Sequence, residues 1–207
     1  MTPDPLIELY ASTNRDVRVR GRRWYPETSR RLTTLAHEYH RALSQVTAVF
    51  AITSVAAQLS SNFRWTEEIL RGEREGGRWP NVQAPLVKGA LGARYPSRFV
   101  RGPKISAFYR ALMGDPEAVV LDRWAARAAG WESDKHQIPV RVQREMEAAY
   151  REAAAACNER VRNFQAIVWI AKRETTAKQI NGKSVVPRLW DVTHKSSQDP
   201  EMRKEKP

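Results

Sequence analysis

Apolar residues recur every three to four positions along most of this chain, and no strand-rich block appears. Leu32, Leu35, Ala36, Tyr39 and Leu43 form one such stripe. Residues 140–156 carry alanines at 148, 149 and 153–156, and residues 159–173 continue in the same style. That period places side chains on one face of a helix, whereas a half-buried strand needs a period of two. The expected fold class is therefore all-α. Residues 45–58 are apolar on nearly every face, which predicts a central, buried helix. Their β-branched content would also suit a strand, but the length and the alanines favour the helix.

Local signals divide the rest. Pro26-Glu27-Thr28-Ser29 reads as a helix start, with proline in the first turn and an acid near the positive end of the helix dipole. Residues 1–25 show few core positions. Leu59-Ser60-Ser61-Asn62 reads as a break after the central helix, with the next helix beginning over Trp65–Arg71. Gly72, Gly76, Gly77 and Pro80 mark a polar loop. Helices are expected at Val82–Leu91, Ile105–Met113 and Arg123–Ala129, with a turn at Arg98–Lys104. After Glu174 the pattern decays into a tail containing Pro187, Pro200 and Pro207, expected to be partly disordered. The organisation expected is a basic segment and first helix over 1–44, packing with the C-terminal lobe. A core over 45–130, C-terminal helices over 131–173 and a basic tail over 174–207 complete it.

Charge narrows the partner. Thirty-five Lys and Arg against 23 Asp and Glu give a net +12, which favours a polyanion, above all nucleic acid. Seven arginines lie between Arg15 and Arg31 against Asp16 and Glu27 alone. With 42% hydrophobic residues and seven tryptophans, the chain is not a disordered basic arm. A single cysteine, Cys157, excludes an internal disulfide and any multi-cysteine metal or iron–sulfur site. His37 and His40 stand at i and i+3, not the i and i+4 of a zinc helix, and no third ligand is evident. No metal and no cofactor are expected. Without a signal-like N-terminus or an apolar run long enough to span a bilayer, the expectation is a monomeric cytoplasmic protein with no membrane partner.

Two segments carry chemistry. In Phe99-Val100-Arg101-Gly102-Pro103-Lys104, a glycine turn directly before a helix leaves backbone N–H groups where a phosphate could dock. The same residues would also serve as an ordinary connection between helices. Asp122 follows the apolar run Val119-Val120-Leu121 and precedes Arg123-Trp124. A carboxylate in a dry site can stabilise a sugar cation, and the residue is equally suited to capping a helix. Lys104 and Asp122 lie 18 positions apart. A lysine in an apolar, cation-rich pocket loses its proton readily and can act as a nucleophile; the alternative is a phosphate contact.

The order turn, Lys104, Asp122 resembles the helix-hairpin-helix DNA glycosylases over about residues 45–170. Gly102 matches the second glycine of the family's hairpin, while Val100 stands where the first is expected. Asp122 and Arg127 match the catalytic-Asp motif, with Trp124 where that motif has a polar residue. The resemblance implies two helical lobes with a helix-hairpin-helix motif and a cleft between them. It implies Asp122 as the catalytic carboxylate and Lys104 as the attacking amine of a lyase step. Leu59-Ser60 resembles the family's wedge loop. Asn62 and Phe63 would then fill the hole left by a flipped nucleotide; the alternative is that Phe63 and Trp65 are core residues. Arg64, Arg101, Gly102, Lys104 and Arg127 would contact double-stranded DNA. Asn81-Val82-Gln83 resembles a helix that packs before the hairpin. Phe164 to Trp169 resembles a closing helix of phage-associated members that handle hypermodified pyrimidines. The departures point to a divergent branch excising a modified base, a pyrimidine, in anti-phage defence. The alternatives are a phage enzyme processing modified thymine on the same fold and a non-catalytic DNA-binding module.

Overall fold

The computed structural model describes residues 1–132 and 138–181, with side chains described up to residue 176. The described residues are all-helical, with 71% of them in helix and no strand. The order is α1 (Asp4–Ala11), α2 (Arg15–Glu38), α3 (Leu43–Thr53), α4 (Leu59–Leu70) and α5 (Pro80–Gly92). A short 3₁₀ turn (Pro96–Phe99) then leads to α6 (Pro103–Leu112), α7 (Arg123–Ala128), α8 (Val140–Ala156) and α9 (Val161–Asn181).

Two apolar clusters organise the packing. The larger joins α1, α2, α8 and α9 with α6 and α7 around Leu6, Leu32, Phe108, Tyr150, Phe164 and Ile167. The smaller gathers Val49, Ile52, Ile69, Val87 and Val100 from α3, α4, α5 and the connection to α6. Helix α3 serves both, because every residue from Val46 to Thr53 is buried. The expected central helix is thus present, shortened to end at Thr53. Helix α2 lies along α9, and Gly21 sets how closely: a Cβ there would stand 2.7 Å from the Ile167 Cα.

The N-terminal region differs from expectation. Helix α2 begins at Arg15, where the Asn14 side chain accepts from the Val17 N–H at 2.9 Å, and Pro26 lies inside the helix. Proline there removes one helical hydrogen bond to Arg22, but both residues sit on the exposed side, where water reaches the freed carbonyl. Leu6, Tyr10, Val17, Trp24 and Tyr25 are core residues. The arginine run masks their helical spacing: Arg15, Arg22 and Arg23 take the exposed positions between them. The break after α3 falls at residues 54–58, so Leu59–Asn62 forms the first turn of α4. Helix α9 continues past Glu174 to Asn181, and the remainder of the expected tail lies outside the described residues. No helix among the described residues is long and apolar enough to cross a membrane.

Candidate functional site

Asp122 ends the buried segment Ala118–Leu121 and caps α7. Its Oδ1 accepts from the backbone N–H groups of Trp124 at 2.9 Å and Ala125 at 2.8 Å. Its Oδ2 accepts from the Trp169 indole Nε1 at 2.9 Å. Cap and site residue are one: three donors from two helices fix both oxygens, and the carboxylate remains half-buried rather than sealed.

Helix α9 positions that carboxylate through residues spaced along one face. The Arg162 backbone N–H donates to the Pro116 carbonyl at 3.0 Å, and its Nη1 donates to the Ala111 carbonyl at 3.0 Å. The Gln165 Nε2 donates to the Val120 carbonyl at 3.3 Å, and the Tyr25 hydroxyl donates to the Gln165 Oε1 at 2.9 Å. Trp169 then holds Asp122, and the Arg173 guanidinium lies 4.5 Å from the centre of the Trp169 ring. Beneath α7, the Tyr150 hydroxyl donates to the Ala125 carbonyl at 2.9 Å. Burial and the nearby Asp122 charge push the Tyr150 and Tyr25 phenols upward, so both remain neutral donors.

Lys104, in the first turn of α6, lines the same pocket. Gly102 precedes it at φ +89° and ψ 147°, a conformation that essentially only glycine adopts, and Pro103 opens α6. Proline supplies no N–H, and the amides of Lys104 and Ile105 meet no acceptor among the described residues. The Lys104 amine is half-buried and makes no hydrogen bond or ion pair among the described residues. Burial lowers its pKa, and the Asp122 charge opposes that shift. Lysine and carboxylate therefore sense one another without forming a pair.

The pocket between them, about 1320 Å³, has Trp24, Phe108 and Trp169 as aromatic lining. Trp24 meets Trp169 edge-on at 6.2 Å, and its indole nitrogen has no acceptor among the described residues. Arg78, Lys104, Arg123, Arg127 and Arg173 line it against the carboxylates of Asp122 and Glu147. The Arg127 guanidinium packs over the Trp124 ring at 5.2 Å.

Asn62 and Phe63 are corrected by their surroundings. Both are 2% exposed. The Asn62 Nδ2 donates to the Phe50 carbonyl at 2.9 Å, and its Oδ1 accepts from the Thr53 hydroxyl at 2.7 Å. Phe63 packs on Phe50 at 4.6 Å, with the Arg31 guanidinium on its other side. Phe63 is a core residue, and Asn62, although it borders the pocket, is held by bonds to the end of α3. Gln83 does a related job: its Nε2 donates to the Ile52 carbonyl at 3.0 Å and its Oε1 accepts from the Gly77 N–H at 2.7 Å. Asn62 and Gln83 thus satisfy carbonyls that the end of α3 leaves open. Arg64 is exposed and pairs with Glu68 at 3.6 Å, and Arg101 is exposed beside the turn. The pocket rim instead carries Gln58 from residues 54–58 and Trp79, which is 44% exposed.

These features define a helical arrangement with a fixed carboxylate, a lysine that has no partner among the described residues and a basic, aromatic-lined pocket. The chain belongs to a family of unknown function (DUF7178), whose profile matches residues 2–176. The matched span includes Lys104, Asp122, Trp169 and Arg173. No curated protein and no solved structure matches the chain.

Proposed function

We propose that this protein is a DNA glycosylase of the helix-hairpin-helix superfamily, in a divergent branch that excises a modified pyrimidine from double-stranded DNA in defence against phage. The observation that carries the reading is Asp122, held by three donors and sharing one pocket with Lys104. On this reading the two apolar clusters are the two lobes, and the pocket is the cleft between them. The stretch from α5 through Gly102 to α6 is the helix-hairpin-helix. Its open amides and the exposed Arg101 take a DNA phosphate, and the protein works as a cytoplasmic monomer.

The chemistry follows from the two walls. As the base leaves with the glycosidic electron pair, positive charge develops over C1′ and the ring oxygen of the sugar. A carboxylate already fixed by N–H donors stabilises that charge without reorganising. The Trp24, Phe108 and Trp169 rings keep the site dry and accept an extruded base, whose removal from the stack costs a few kcal/mol. A neutral Lys104 amine, favoured by burial, attacks C1′ as the base departs. The nitrogen then loses its proton to solvent and its electron pair forms the C1′=N bond of a Schiff base as the C1′–O4′ bond breaks, and the freed ring oxygen takes up a proton from solvent.

The test incubates the protein with ordinary and phage-modified DNA and then treats the DNA with alkali. Strand breaks at modified positions, lost with Asp122→Asn, are the expected result. DNA that stays intact in every case, although the protein binds it, assigns the protein to non-catalytic binding. A modified base that changes mass without release assigns it to base processing.

A further inference from the structure

Arg173 is one of the charged groups of the pocket that the proposed chemistry leaves unused. Its guanidinium lies over Trp169, the ring that anchors Asp122, so the carboxylate, indole and guanidinium form one rigid series. It lines the pocket, yet it forms no hydrogen bond and no ion pair among the described residues. Burial lowers its pKa while the Asp122 charge opposes the shift. No hydrogen bond or ion pair joins it to Asp122, whose oxygens accept from Trp124, Ala125 and Trp169. The neighbouring Glu174 is committed elsewhere, at 2.7 Å from Arg20 on α2.

A guanidinium carries five N–H donors in a planar fork suited to the two oxygens of a carboxylate or phosphate. Stacking on a fixed indole holds that fork in place before any ligand arrives, which reduces the ordering needed on binding. Some exposed arginines elsewhere, such as Arg141 with Glu145, pair with carboxylates. Arg173 is partly withdrawn from bulk water, and its donors meet no acceptor among the described residues.

We propose that Arg173 is an oxyanion-binding residue that takes a phosphate or carboxylate group of the nucleotide occupying this pocket. The proposal rests on reading the pocket as a nucleotide site. It does not require bond cleavage. The oxyanion has two sources on a nucleotide, the 5′-phosphate or an acidic substituent on the base, and both present two oxygens to the fork.

Calorimetric titration of the full chain with thymidine, thymidine 5′-monophosphate and 5-carboxy-2′-deoxyuridine tests this, since none of the three readouts depends on base release. The expected result is that one anionic ligand binds at least about tenfold more tightly than thymidine. That preference should vanish in Arg173→Gln, partly survive in Arg173→Lys and remain in Arg141→Gln. Preference for the monophosphate assigns the backbone phosphate; preference for the carboxylated nucleoside assigns an acidic base. Equal binding of all three by the unmodified chain, no binding of any, or a preference that persists in Arg173→Gln each overturns the proposal. If Arg173→Gln fails to fold, the unmodified chain's own preference and the Arg173→Lys variant decide. Absence of base release from any DNA, with the anion preference intact, would refute the glycosylase reading and leave this one standing.

Discussion

The two walls of the pocket are built on opposite terms. On the Asp122 wall, α9 satisfies the approach segment at Ala111, Pro116 and Val120, and Trp169 fixes the carboxylate itself. On the Lys104 wall a glycine turn and a proline place the amine, and nothing among the described residues holds it. The contrast matches two chemical demands. A carboxylate that stabilises developing charge works best already oriented. A nucleophile must reach an atom that arrives with the substrate, and a hydrogen bond would tie up its lone pair.

The largest expected effect tests the held wall. Asp122→Asn should lower base release about a hundred- to a thousandfold. The asparagine Oδ1 can still accept from the Trp124 and Ala125 amides, so helix α7 remains capped. Only its Nδ2 meets the Trp169 donor unfavourably. Comparing release rates with circular dichroism separates lost chemistry from lost fold, and near-normal release would remove Asp122 from the mechanism.

Next in size is Asn62→Ala, which asks whether the residue acts on DNA or on the protein. It leaves the Phe50 carbonyl without its buried donor, and unfolding in urea should show a loss of about 2 kcal/mol. Release per folded molecule should be unchanged. A variant of full stability with specifically impaired release would restore the wedge role to Asn62.

Smaller again is Trp169→Phe, which keeps the ring but removes the indole N–H from the Asp122 Oδ2. Losing one hydrogen bond to a charged group should slow release about tenfold. The turnover number should fall more than apparent DNA affinity, because the bond orients a carboxylate that acts in the transition state. A change in affinity alone would make Trp169 a packing residue.

What the sequence revealed follows the range of each interaction. Gly102, Lys104 and Asp122 were legible because a turn before a helix and an acid before a helix are local signals. The structure brings both into one pocket. Trp169 was hidden because its bond to Asp122 joins residues 47 positions apart. A faint signal existed: Gln165 interrupts the apolar run Phe164–Val168, and a buried amide must find partners. Asn62 was misassigned for the converse reason. A polar residue near a helix break suits a surface loop, and only the packing of α3 against α4 shows that it faces inward. The core of α2 was obscured because arginines fill the exposed turns of a helix whose other face is deeply buried.

The smallest expected effect concerns the unheld wall and runs against intuition. Lys104→Met should abolish any covalent lyase adduct trapped by borohydride, yet raise the melting temperature at neutral pH. Burial lowers the folded-state pKa of Lys104 below the ordinary lysine value of 10.5. Below that lowered value both the folded and unfolded chains carry the proton, and the fold bears the full cost of a poorly solvated charge. As pH rises between the lowered value and 10.5, the unfolded chain holds a proton that the folded chain has released, so stability of the unmodified protein rises with pH. Above 10.5 the amine is neutral in both states and the cost is gone. The advantage of Lys104→Met should therefore be greatest below the lowered value and shrink as pH approaches 10.5. Melting both proteins across that range cancels the titration of groups they share. A methionine variant that is less stable than the parent at neutral pH would show that Lys104 is held after all, and the contrast between the two walls would fail with it.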